Sequence, residues 1–120
     1  MVLLTKDAIF AARDTRTEDV DVPEWGGTVR VKAITALERD AYEAAMVESQ
    51  KNGRVKVSMR NARARLAVMA CVDETGAPLF TEADVPMLST KSAAALDRIF
   101  AVASRLAGLS DADMEDLAGN

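Results

Sequence analysis

Residues 20–33, Val-Asp-Val-Pro-Glu-Trp-Gly-Gly-Thr-Val-Arg-Val-Lys-Ala, place the tightest constraint on what this chain can fold into. Two runs of alternating apolar residues flank Gly26-Gly27, a pair able to supply the positive φ angles that a two-residue primed hairpin turn demands. With those two residues as the loop, Trp25 faces Thr28, Val22 faces Val31 and Val20 faces Ala33. Asp21 then faces Lys32 on the opposite side, a cross-strand pair of about 0.2–1 kcal/mol. One register thus yields one apolar face and one charged face, and a slip of one residue would turn the valines to the wrong side.

The rest of the chain reads as mainly helical. Thr5 is placed to N-cap a short helix carrying Ile9, Phe10 and Ala12, with Asp7 favourable to its dipole. The polar run Arg13–Asp19 then leads into the hairpin. Thr35 and Glu38 have capping-box spacing and predict a helix to about Ser49. Its expected inner stripe is Leu37, Ala41, Ala44 and Ala45, flanked by Tyr42 and Met46. Gln50–Val57, with Asn52-Gly53 at its centre, reads as an exposed loop or a ragged hairpin. From about Ser58 to Val72 helical spacing returns, with Met59, Ala62, Leu66, Met69 and Ala70 on one face. Asp73–Pro78 is a turn, after which Leu79 and Phe80 re-enter the core, and Thr81–Asp84 opens a short helix around Pro86.

The strongest helical pattern runs from Lys91 to Ala107. Ala95, Ile99, Val102 and Leu106 form its stripe, widened by Leu96, Phe100 and Ala103, with Asp97, Arg98, Ser104 and Arg105 opposite. Gly108 is a natural terminator, and residues 109–120 read as a fraying acidic tail. The expected fold is a single α+β domain over residues 1–120, mainly α-helical, with the small N-terminal β-hairpin packed on helices.

At 120 residues there is room for one core, but 22 residues are alanine, which favours helix while burying little surface. Such a chain stands to gain stability by associating with itself or with a partner. There is no histidine, which removes the commonest general base and metal ligand, and the single Cys71 cannot build a thiolate zinc site. Cys71 is expected as a buried, inert thiol. Neither a P-loop nor a Gly-x-Gly-x-x-Gly fingerprint occurs. No catalytic residue, cofactor or metal site is therefore expected, and an enzyme is not the reading. No apolar run approaches the ~20 residues of a membrane span. The first residues lack the basic-then-apolar layout of a secretory signal, so a soluble intracellular protein is expected.

Charge is uneven around a net −4. Lys51–Val72 carries Lys51, Arg54, Lys56, Arg60, Arg63 and Arg65 with no acidic residue, against an acidic N-terminal third and an acidic C-terminus. On a helix, Arg60 and Arg63 share a face. This segment is either a docking face for an acidic partner or ordinary solvated surface. Nucleic acid is not the expected partner, given the net charge and the absence of interleaved aromatics. Opposite patches also favour head-to-tail self-association. Met46, Met59 and Met69 suit gap-filling in an Ala-rich core, whereas Met87 and Met114 fall in short elements where exposure is more credible. Trp25 either anchors a partner or caps the core. The candidate partner-binding residues are accordingly Arg54, Lys56, Arg60, Arg63, Trp25 and Met87.

Val22-Pro-Glu-Trp-Gly-Gly-Thr-Val-Arg-Val31 followed by Leu37-Glu-Arg-Asp-Ala-Tyr-Glu43 resembles the small tail assembly chaperones of long-tailed bacteriophages and prophages. So do Arg60-Asn-Ala-Arg-Ala-Arg-Leu66, Asp73-Glu-Thr-Gly76 leading to Leu79-Phe80, Lys91-Ser-Ala-Ala-Ala-Leu-Asp-Arg-Ile-Phe100 and Leu106-Ala-Gly-Leu-Ser110. The resemblance implies a mainly helical, self-associating protein of the host cytoplasm that is absent from the mature virion. It implies binding to the tape measure protein, which is kept soluble while tail-tube subunits polymerise around it. It brings no catalytic motif and no defined binding residue. The alternative is a structural tail or head–tail completion protein retained in the virion.

Overall fold

Proline at position 23 decides how the hairpin closes. It has no N–H to offer a ladder and its φ is fixed, so pairing stops at Val22 and a 3-10 turn begins, Pro23–Trp25. Gly26 ends that turn at φ 74°, its N–H bonded to the Pro23 carbonyl at 3.1 Å. The computed structural model describes residues 2–51, 54–57 and 61–108, with side chains for residues 2–47 and 61–108.

Strand β1 (Thr17–Val22) pairs antiparallel with β2 (Gly27–Lys32), placing Val22 opposite Gly27, Val20 opposite Val29 and Glu18 opposite Val31. The register expected from a Gly26-Gly27 loop is therefore corrected: the partner of Val22 moves from Val31 to Gly27, and only Gly26 takes a positive φ. The shift is even, so the faces survive it, and Val20, Val22 and Val31 are all buried. The charged face changes partners. Asp21 accepts from the Thr28 hydroxyl at 3.0 Å, Asp19 pairs with Arg30 at 2.8 Å, and Lys32 reaches Glu38 at 2.5 Å.

The sheet gains a third strand from an unexpected place. Helix α3 (Ala62–Ala70) runs directly into β5 (Cys71–Val72), which pairs antiparallel with β2 through Arg30–Val72 and Val31–Cys71. The expected helix through Val72 thus stops at Ala70, because the free edge of β2 offers those last two residues ladder bonds. Its other end is corrected too. Asn61 stands in the left-handed region at φ 61°, and α3 starts at Ala62. Met59 lies outside the described residues.

After β5 the Asp73 carboxylate organises the turn, accepting from the Thr75 hydroxyl at 2.6 Å and from the Thr75 and Ala77 amides at 2.8 and 3.0 Å. Those donors, the Thr75 hydroxyl foremost, hold its carboxyl below the ordinary value. Phe80 then packs on the core as expected, but Leu79 remains half exposed.

Helix α1 (Lys6–Ala11) begins where Thr5 accepts from the Ala8 amide at 3.2 Å. Helix α2 (Ala36–Met46) carries the full capping box: Thr35 accepts from the Glu38 amide at 3.1 Å, and the Glu38 carboxylate accepts from the Thr35 amide at 2.9 Å. The helix ends three residues earlier than expected. Val47 starts β3 (Val47–Lys51), which pairs with β4 (Arg54–Val57) as the hairpin of the two readings offered for this segment. Asn52 and Gly53 lie outside the described residues.

The face α2 buries is also not the expected one. Tyr42 and Met46 are buried, whereas Leu37 is 79% exposed and Ala41 and Ala44 face solvent. Area explains the rotation. Fully burying a large side chain is worth about 1.5–3 kcal/mol against roughly 0.8 per methylene, so Tyr42 with Met46 outweighs a stripe of alanines.

A 3-10 turn at Glu82–Asp84, capped by Thr81, feeds α4 (Val85–Leu88) with Pro86 in its first turn. Helix α5 (Ala93–Leu106) is capped by Ser92 and buries Ala95, Leu96, Ile99 and Ala103; Gly108 follows it at φ 75°. It packs on α3 and on the hairpin. Two surface ion pairs bridge it to the hairpin: Arg105 with Glu18 at 2.6 Å, and Arg98 with Glu24 in the turn. Helix α3 lies between neighbours and buries Ala62, Ala64, Leu66, Ala67, Val68 and Ala70, its many small side chains allowing close approach.

Candidate docking surfaces

The Thr35–Glu38 capping box fixes one wall of a groove between α2, α3 and the segment 78–85. Its volume is about 230 Å³, with Val68, Met69, Pro78, Phe80 and Val85 on its apolar side. Glu38, Arg65 and Glu82 give it charged borders. Burial alone would raise the Glu38 carboxyl, but hydrogen bonds from Lys32 and from the Thr35 backbone outweigh it and hold Glu38 below its ordinary value, hence charged at neutral pH. Arg65 donates to the Ala45 carbonyl near the end of α2, where a cation complements the helix dipole. An apolar cleft bordered by both signs of charge has the chemistry to receive a short amphipathic segment.

Such a segment exists in the chain itself. Every residue from Val2 to Thr17 is exposed, and α1 buries none of its side chains. Val2, Leu3, Leu4, Ile9 and Phe10 therefore present apolar surface with no cover among the described residues, Phe10 at 78% exposure. On the body of the molecule, Leu37 of α2, Leu79 after the Asp73 turn, and Met87 of α4 are the other large exposed apolar side chains among the described residues. Apolar surface as concentrated along the chain as that of residues 2–10 marks an interaction site more often than single scattered side chains do.

The candidate residues read from sequence fall in different places. Met87 is 68% exposed. Trp25 is half-buried against the core at the end of the hairpin turn, beside the Glu24–Arg98 pair. Arg63 is exposed on α3 and bonded to Asp97 of α5. Arg60 lies outside the described residues. Arg54 and Lys56 lie in β4, their side chains outside the described set. Met114 also lies outside it. The groove and the exposed α1 were missed in sequence; a signal for the second was present, since Val2-Leu3-Leu4 and Ile9-Phe10 are too short and isolated to pair with the later stripes.

Cys71 is buried, and burial pushes its thiol up to about 12, so it stays protonated and unreactive at neutral pH. Among the described residues no group of three His, Cys, Asp or Glu side chains could hold a metal ion, and no helix is long and apolar enough to cross a membrane. The family model described as phage tail assembly chaperone matches residues 4–120. No curated protein and no solved structure matches the chain.

Proposed function

The chain belongs to the phage tail assembly chaperone family, and we propose that it acts as a non-catalytic chaperone that binds the tape measure protein, keeps it soluble and promotes tail-tube polymerisation around it. The observation that carries this reading is the family match across residues 4–120. Physical chemistry supports it. A long helical client exposes apolar stripes before assembly, and these aggregate unless covered. Exposed Met87 supplies an adaptable apolar contact, and Arg63 with the basic residues Arg54, Lys56 and Arg60 supplies charge for acidic stretches of the client. Trp25 adds an aromatic contact at the hairpin end. Many moderate contacts along one long client hold it through avidity and still release it to tube subunits.

In this reading the protein works in the cytoplasm of the host bacterium and leaves before the virion is complete. Co-expression with the tape measure protein encoded nearby tests it: the client is expected to become soluble and to co-purify. A client that stays insoluble beside abundant folded chain contradicts the proposal. Mass spectrometry of purified virions separates it from a structural tail or head–tail completion role, since a chaperone is missing from the particle.

A further inference from the structure

We infer that α1 of one copy docks in the groove between α2, α3 and segment 78–85 of a second copy, making a head-to-tail interface. This goes beyond client binding and identifies the surface by which the chain meets itself. Four observations carry it. The arm is apolar and uncovered: Leu4, Ile9 and Phe10 are exposed and no residue of α1 is buried. The groove is apolar and open on the body of the same molecule, so the two surfaces are present in equal number in every copy.

Charge fits as well. Ile9 and Phe10 follow Lys6 by one turn of α1, and Arg13 comes just after the helix, so cations bracket the apolar pair. Glu82 and Arg65 border the groove beside Glu38, which is already bonded to Lys32, so Glu82 can meet a cation of the arm and Arg65 can meet Asp7. The arm is also able to reach. Residues 12–16 connect α1 to β1 without helix or strand, and five residues span at most about 17 Å. An arm on one copy and its receptor on the next make a heterologous contact, which adds copies in series rather than closing a symmetric dimer.

The test is the mass of the purified chain alone, by sedimentation velocity over a concentration series, so that it succeeds or fails independently of any client. Wild type is expected to grow in mass with concentration. Phe10→Glu changes a side chain that nothing among the described residues covers, so it leaves the fold intact and weakens self-association about thirtyfold or more. Met69→Glu blocks the groove, and Glu82→Lys at its border does so without touching the core. Phe10→Glu retains a groove and Glu82→Lys retains an arm. Mixing the two is therefore expected to restore a dimer that grows no further. A wild type that stays monomeric, a Phe10→Glu chain with the wild-type mass distribution, or a mixture with no dimer overturns the inference.

Discussion

Helix α2 offers the sharpest stability test, because two of its residues exchange roles between the sequence stripe and the structure. Met46 is 1% exposed, and Met46→Ala removes three heavy atoms from a fully buried site. At roughly 0.8 kcal/mol per methylene equivalent the transfer loss is about 2.4 kcal/mol, and the residual cavity brings the expected cost to about 3 kcal/mol. Leu37 is 79% exposed, so only about a fifth of its surface is withdrawn from water. Leu37→Ala should cost no more than about 0.5 kcal/mol, the more so since alanine is the better helix former. Urea unfolding read by circular dichroism separates the two. With a slope near 2 kcal/mol/M, Met46→Ala lowers the midpoint by about 1.5 M and Leu37→Ala by less than about 0.3 M. Equal losses at the two positions would show that α2 is rotated onto its alanine stripe and would refute the area argument for Tyr42 and Met46.

Further outcomes follow from the electrostatics. Asp19, Glu38 and Asp73 have folded-state values below their ordinary 3.8, 4.5 and 3.8, so their contribution to stability is present above those values and lost as pH falls through the depressed ones. Urea midpoints should accordingly hold from neutral pH down to about pH 5 and decline below about pH 4; a midpoint that rises on acidification would contradict this. Cys71 and Tyr42 are raised by burial to about 12 from 9.0 and 10.0, so stability should fall as pH rises between about 9 and 12. A thiol reagent at neutral pH should leave the native chain unlabelled and modify it at once in urea. The Glu18–Arg105 pair is largely exposed, so a double-mutant cycle with Glu18→Gln and Arg105→Gln should give a coupling no larger than about 1 kcal/mol. A coupling of several kcal/mol would mean that this pair, rather than Ile99 and its neighbours, seats α5 on the hairpin.

Local signals were legible wherever a side chain bonds its own backbone. The caps at Thr5 and Thr35, the Asp73 turn and the terminator Gly108 all depend on residues within four positions of each other, and the sequence spacing conveys them directly. Faces of the hairpin were legible because alternation survives any even shift, whereas the register was not: the constraint at Pro23 outweighed the glycine pair that follows it. Long-range competition hid the rest. Nothing near Cys71-Val72 announces that the edge of β2 will take them as a strand, and alanine-rich α2 has no periodicity strong enough to say which side Tyr42 will choose. The groove is assembled from segments 38–45, 65–69 and 78–85, and only tertiary packing brings these together. Arg63 illustrates the same point for charge, since its partner Asp97 stands 34 residues away.

The central claim is that this chain keeps an apolar helical tail protein from aggregating, and light scattering tests it most directly. The tape measure protein, or its most apolar helical fragment, is diluted from denaturant into buffer with increasing amounts of purified chain. The account predicts that scattering is suppressed as the chain approaches stoichiometric amounts, with a soluble complex recovered by gel filtration. Aggregation that proceeds at the same rate in a molar excess of folded chain, with no complex recovered, would contradict it.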